Sequence, residues 1–211
     1  MIVTIKMLKE NAAVHKRSLL AVFLGLLLVF PQVSGGIIVR VGTNIMIYAI
    51  LTMGEQLICG YTGMLNQGMA AFYGVGAYAS ALLSLNLNLP WFACFLGGGL
   101  IAALVGVLIA IPCLRVETDF LSLITIAFAN IFTAILNNWT GLTRGAAGIP
   151  SIPAASLFGF QFQSAASSFY LILGVTILVY VFLNNLIHSK VGRAFMAVRD
   201  NEIGASSVGI K

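Results

Sequence analysis

From Gln56 to Leu114 the sequence carries no charged side chain, and this limits the possible folds more than any motif does. A spanning helix needs about 20 apolar residues, so the run is too long for one such helix and fits two with their connections. Charged residues make up about 25% of an ordinary soluble domain. Here they are 8% of 211 residues, against 60% hydrophobic, with a mean hydropathy of +1.02. The expected class is therefore all-α, a polytopic transmembrane helix bundle. The net charge of +5 does not point to nucleic acid, because the basic residues lie between apolar runs rather than on one face.

The apolar runs divide the chain into a tail at 1–17, a membrane domain at 18–187 and a polar segment at 188–211. About six spanning helices are expected. The first runs from Ser18 to Val39, with Lys6, Lys9, Lys16 and Arg17 before it; a cleaved leader ending near Val33-Ser34-Gly35 is the rival reading, and the further membrane segments that follow favour a retained helix. The second runs from about Val41 to Cys59. A turn at Asn86 to Pro90 separates the third from the fourth, which ends near Pro112. The fifth, capped by Asp119, ends near Asn137-Asn138, and the sixth covers about Phe169 to Ile187. Gly98, Ala102, Gly106 and Ala110 recur every fourth residue, a row that lets another helix approach closely.

Two regions break the apolar pattern. After helix 2 come Gly60-Tyr61-Thr62-Gly63, Asn66-Gln67-Gly68 and Ala70-Ala71-Phe72-Tyr73-Gly74. Backbone rich in Gly and amides is tolerated at membrane depth only where protein or a water-filled cavity covers it. This makes Gln56, Asn66, Gln67, Gly68 and Tyr73 candidates for a substrate path. Glu55 has two readings: a carboxylate about a turn from the cytoplasmic boundary, or a lining residue of that path. A charge at the bilayer centre costs roughly 2.5 to 3.5 kcal/mol on insertion scales, so either way it faces protein, water or the interface.

The second region is the C-terminal segment KVGRAFMAVRDNEIGASSVGIK. A topology anchor needs only Lys190, Arg193 and Arg199. It does not need Gly204, Ala205, Ser206, Ser207 and Gly209, whose small side chains suit close contact with a partner, so docking is the reading adopted.

Enzyme-like patterns fail on inspection, and no enzymatic activity is expected. Gly63-x-x-x-x-Gly68 continues Met69-Ala70 and lacks the phosphate-binding lysine of a P-loop. Gly74-x-Gly76-x-x-Ala79 has no strand-turn-helix unit around it. Cys59, Cys94 and Cys113 have no metal-ligand spacing, so neither a metal nor a cofactor is expected in this chain. Asn138-Trp139-Thr140 is a glycosylation sequon by chance.

Arg199-Asp200-Asn201-Glu202-Ile203-Gly204-Ala205-Ser206-Ser207-Val208-Gly209-Ile210 resembles the cytoplasmic coupling segment of ABC importer permeases, in the form shown by the branched-chain amino-acid permeases of the M-subunit type. Gly204 departs from the usual Ala. Gly60 to Tyr78 is similar to a second stretch of that family, with Met64, Asn66 and Met69 departing from Gln, Ser and His. Leu114 to Phe120 and Gly141 to Ile149 add weaker likenesses. The resemblance implies a permease subunit for a branched-chain amino acid or similar small polar solute. It implies ATPase coupling through Arg193, Arg199, Asp200, Glu202, Ala205 and Gly209. It also implies a second permease subunit, two cytoplasmic ATPase subunits that bind the ATP, a periplasmic or extracellular solute-binding protein, and further helices beyond the coupling segment, which would make this a shortened chain.

Independently of the resemblance, a cytoplasmic N-terminus with six spans puts Lys6, Lys9, Lys16, Arg17, Arg115, Lys190, Arg193, Arg199 and Lys211 inside, and only Arg40 and Arg144 outside. The positive-inside rule favours this orientation; that the membrane is a bacterial inner membrane is what the resemblance implies. The alternative function is an ion-coupled secondary transporter, for which Glu55 is the acidic residue well placed within a helix.

Overall fold

The computed structural model describes residues 25–113, 118–157 and 159–210. The tail at 1–17, the first part of the expected helix 1, Arg115, Glu117, the Asp119 side chain and Lys211 lie outside the described residues. Residues 25–33 form helix α1. Then come α2 (Gly36–Glu55), a π-helical turn (Gln56–Thr62), α3 (Met69–Leu87), α4 (Trp91–Cys113), α5 (Thr118–Asn138), the short α6 (Thr140–Thr143), α7 (Ala165–His188), α8 (Lys190–Asp200) and α9 (Glu202–Ser207). A two-stranded antiparallel hairpin, β1 (Ser156–Leu157) and β2 (Phe160–Gln161), lies in the α6–α7 connection.

Among the described residues five helical segments are long and apolar enough to cross a membrane, and the longest is α2 with its π turn, Gly36–Thr62, 27 residues. The expected first helix ends early. Residues 25–33 are helical, Ser34 bends, and Gly35 is extended at φ −63°, ψ 153°. Gly35 and Gly36 have no side chains to hold the chain in helix, so the break falls there and Val39 belongs to α2. The other boundaries move by a few residues; α7, for example, begins at Ala165. There Ser164 caps it, its hydroxyl accepting from Ser167 N at 3.0 Å.

Side chains that face no other helix are left to lipid, among them Leu100, Leu104 and Leu178, each at least 65% exposed. Lipid is as apolar as leucine, so contact between helices depends on fit. On α3 and α4 the fit comes from glycine. A Cβ on Gly98 would stand 2.7 Å from Gly76 O and 2.9 Å from Ser80 Cβ, so the row of small residues does bring α4 against α3. Gly74 meets α5 in the same way, with the Phe132 ring 2.6 Å from where its Cβ would be.

The other contact joins α2 to α7, running parallel. Val39, Met46, Phe169 and Leu173 form a buried cluster, and Phe30 of α1 packs at a tilt against Phe169 with ring centroids 5.5 Å apart. The Tyr170 hydroxyl donates to Leu28 O at 2.8 Å, which fixes α1 to the same end. Because α2 and α7 run the same way, their C-terminal ends lie together. The π turn and the α8–α9 segment therefore meet at one end of the bundle.

Candidate functional site

The site starts where α2 loses its regular winding. After Glu55 the chain takes the wider π turn, and Gly63 closes it at φ +75°, a left-handed conformation that glycine adopts without steric cost. π-helical turns are rare and concentrate at functional sites. Residues 63–68 then run without helix to Met69, and a cavity of about 640 Å³ opens beside them. Its wall is mainly apolar, with Ile58, Met64 and Phe72 on one side and Ala102, Gly106 and Ala110 on the other. Four lining residues are polar: Thr62, Asn66, Thr125 and Glu202. A second, smaller cavity of about 150 Å³ lies at the opposite end, between Asn88–Trp91 and Pro153–Ser156.

The polar wall is held by a hydrogen-bonded chain. Asn66 is buried; its Oδ1 accepts from Gly68 N at 2.9 Å and its Nδ2 donates to Glu55 Oε2 at 3.3 Å. Glu55 Oε1 also accepts from Cys59 Sγ at 2.9 Å. Glu55 thus stands one hydrogen bond behind the cavity wall and sets the orientation of Asn66. Glu55 is itself not among the residues that line the cavity. Thr125 of α5 fixes the other side: its hydroxyl accepts from Gln67 N at 3.0 Å and lies 3.0 Å from Leu121 O and 2.9 Å from Ser122 O. A Cβ on Gly68 would stand 3.0 Å from Thr125 O, so glycine there lets the loop and α5 close together. Among the candidate path residues, Asn66 lines the cavity, while Gln67 and Gly68 shape it through the backbone. Gln56 is exposed, its amide lying over the bare Cα of Gly60. Tyr73 is 47% exposed and is not part of the lining.

The α8–α9 segment folds back at an elbow. Ser189 ends α7 and caps α8, accepting from Val191 N at 3.1 Å and Gly192 N at 3.4 Å while donating to Leu186 O at 2.6 Å. Gly192 is buried, and a Cβ there would overlap the carbonyl and Cα of Ile187. Arg193 Nη1 donates to His188 O at 3.1 Å, tying the elbow from outside. Asn201 is the joint between the two helices, extended at φ −163°, and its side chain accepts from Gly204 N at 2.8 Å.

Of the candidate coupling residues, all but Ala205 are exposed. Arg199 lies against the π turn, its Nη1 donating to Gly60 O at 2.8 Å, and Asp200 pairs with it at 2.8 Å. Glu202 opens α9, where a negative charge suits the helix dipole, and reaches the cavity. Ala205 is buried against the rest of the chain. Gly209 stands at φ +84°, with its N–H on Ser206 O at 3.1 Å and Ile210 N–H on Ala205 O at 3.1 Å. That pair of bonds closes a helix through a left-handed glycine. The large apolar side chains that α9 and its C-cap present outward are Ile203, 82% exposed, and Val208, 73% exposed.

Sequence reasoning did not single out Thr125, Ser189, Gly192 or Asn201. Asn201 carried a readable signal, an Asx residue just ahead of an acidic first turn. Gly192 carried none, because its need arises from the return of the chain onto Ile187.

Five apolar spans, four of which line the cavity, with a polar helix pair folded onto one end, define a multi-pass α-helical membrane protein. The chain belongs to the family described as the branched-chain amino acid transport system permease component, whose sequence model matches residues 37–211. It is 32% identical over 224 residues to the high-affinity branched-chain amino acid transport system permease protein LivM of Escherichia coli, covering 95% of this chain and 53% of that protein. The LivM protein of Salmonella typhimurium is 30% identical over the same shares. The permease protein LivH of Salmonella typhimurium is 28% identical, over 77% of this chain and 58% of that protein. The chain thus spans about half the length of the LivM relatives it matches. No solved structure matches it.

Proposed function

We propose that this chain forms part of the transmembrane path of an ATP-driven importer for a branched-chain amino acid or a similar small polar solute. Family membership supports this, and one structural observation carries it. The C-terminal helix pair, on which a cytoplasmic ATPase would act, lies directly on the turn that walls the larger of the two cavities described. The partners would be a second permease subunit, two cytoplasmic ATPase subunits that bind the nucleotide, and a periplasmic or extracellular solute-binding protein. The chain itself would hold no cofactor and perform no chemical step.

In this reading the membrane is the bacterial inner membrane and the N-terminus is cytoplasmic. Arg193 and Arg199 lie at the α7 C-terminal end of the bundle and Arg40 lies near the opposite end of α2, in keeping with the basic-residue bias. Transport would require two arrangements of the cavity wall that nucleotide and solute bias differently. Reconstitution with the partner subunits in proteoliposomes tests the proposal. Uptake of leucine, isoleucine or valine should require ATP and persist when proton and sodium gradients are collapsed. Uptake driven by an imposed ion gradient without ATP would overturn it.

A further inference from the structure

We infer that Arg199 is a positioning residue that ties the α8–α9 segment to the cavity wall, so that displacement of the segment moves the π-helical turn. The inference rests on the importer reading above and extends it to one side chain. Arg199 makes two kinds of contact with the turn. Its Nη1 donates to Gly60 O at 2.8 Å, a bond between residues far apart in sequence. Its Cγ lies 2.7 Å from the position a Cβ on Gly63 would occupy, so the aliphatic stem fills the space that glycine leaves. The last carbonyls of a helix lack intrahelical donors, and a cation suits that end of the dipole. Arg199 therefore caps the turn from another element.

Geometry also sets the direction of the guanidinium. Asp200 Oδ1 accepts from Arg199 Nε at 3.0 Å and Nη2 at 2.8 Å. That grip turns Nη1 toward Gly60, a division of donors that the planar fork allows and a lysine ammonium cannot reproduce. Gly60 and Gly63 lie in the same turn as Ile58 and Thr62, which line the cavity, and Glu202, three residues beyond Arg199, lines it as well. The segment thus touches the cavity wall at two points, one direct and one through Arg199. The exposed face of α9, with Ile203 and Val208, is free of this contact and remains for a partner.

The test uses the complex assembled with its ATPase subunits, in a variant lacking Cys59, Cys94 and Cys113, with Thr62→Cys as a reporter on the cavity wall. Two quantities are read: the change in thiol modification of that cysteine when a non-hydrolysable ATP analogue binds, and the solute transported per ATP hydrolysed. Arg199→Ala should abolish the nucleotide response and lower the transport ratio about tenfold, within the range of coupling between sites. Arg199→Lys should restore part of both, and Arg199→Gln less. The side chain is 42% exposed, so these substitutions leave no buried charge unpaired. A parent-level response and ratio in Arg199→Ala would overturn the inference. So would transport and hydrolysis falling together at an unchanged ratio, which would make Arg199 part of the docking surface. A parent complex with no nucleotide response and no ATP-driven uptake would instead overturn the importer reading, and this inference with it.

Discussion

At the scale of single residues, two glycines of the C-terminal segment do different work for different reasons. Gly192 is sterically required, because the Ile187 backbone occupies the place of its Cβ and backbone cannot swing aside as a flexible side chain can. Overpacking of this kind costs about 1 to 3 kcal/mol. Gly192→Ala should therefore open the elbow, and trypsin cleavage after Arg193 and Arg199 should rise about tenfold or more in limited proteolysis. Gly209 is required by conformation alone: nothing lies within 4 Å of its missing Cβ, but its φ is +84°. Gly209→Ala should weaken the end of α9 by roughly 1 kcal/mol and Gly209→Asn by less, since Asn tolerates the left-handed region. Hydrogen exchange at Gly209 and Ile210 would show the order. Sequence reasoning placed Gly209 on a partner surface, and the residue is exposed; its left-handed conformation is a separate requirement that one letter does not show. It recognised that Asn66 and Gly68 needed cover, but the bond from Asn66 to Glu55 joins residues eleven apart across a turn of unknown winding, and no spacing rule reveals it.

At the scale of elements, helix pairing in this molecule depends on where glycine faces another helix. Gly98 and Gly99 are neighbours on α4 with opposite surroundings. A Cβ at Gly98 would press on Gly76 O, whereas one at Gly99 meets open space. Gly98→Ala should cost about 1 to 3 kcal/mol of unfolding free energy in detergent by separating α3 from α4, and Gly99→Ala should leave it unchanged or slightly raised, since alanine favours helix over glycine. Equal effects would mean that the α3–α4 contact is not what sets stability. The four-residue row made close approach legible in the sequence, but not which neighbour approaches. The α8–α9 joint gives a second test. Asn201→Ala removes the cap on Gly204 N and should cost about 1 kcal/mol, while Asn201→Ser should keep most of it, read as hydrogen exchange at Gly204 and Ala205.

At the scale of the whole molecule, the parallel packing of α2 and α7 places the π turn, the elbow and the α8–α9 segment at one end, and the hairpin connection at the other. Ile152 and Val208 are both exposed, at 54% and 73%, on opposite ends of α7. In a variant without the three native cysteines, Ile152→Cys should react with an impermeant thiol reagent in intact cells, and Val208→Cys only after permeabilisation. Reaction of both from outside would reverse the orientation proposed above.

The all-α class, the apolar spans and the polar character of the C-terminal segment follow from the sequence alone, because each depends on hydrophobicity summed over about 20 residues. The family likeness was legible for a similar reason, since its two motifs are contiguous in the chain. Only the tertiary structure decided that those motifs touch, through Arg199 on Gly60 and Gly63. It also decided that Glu55 lies behind the cavity and that Thr125 holds its far wall. These relations are set by the angle at which helices meet after a π turn and two glycine contacts. Small differences in backbone winding there redirect side chains that are distant in sequence, and local pattern carries no record of that.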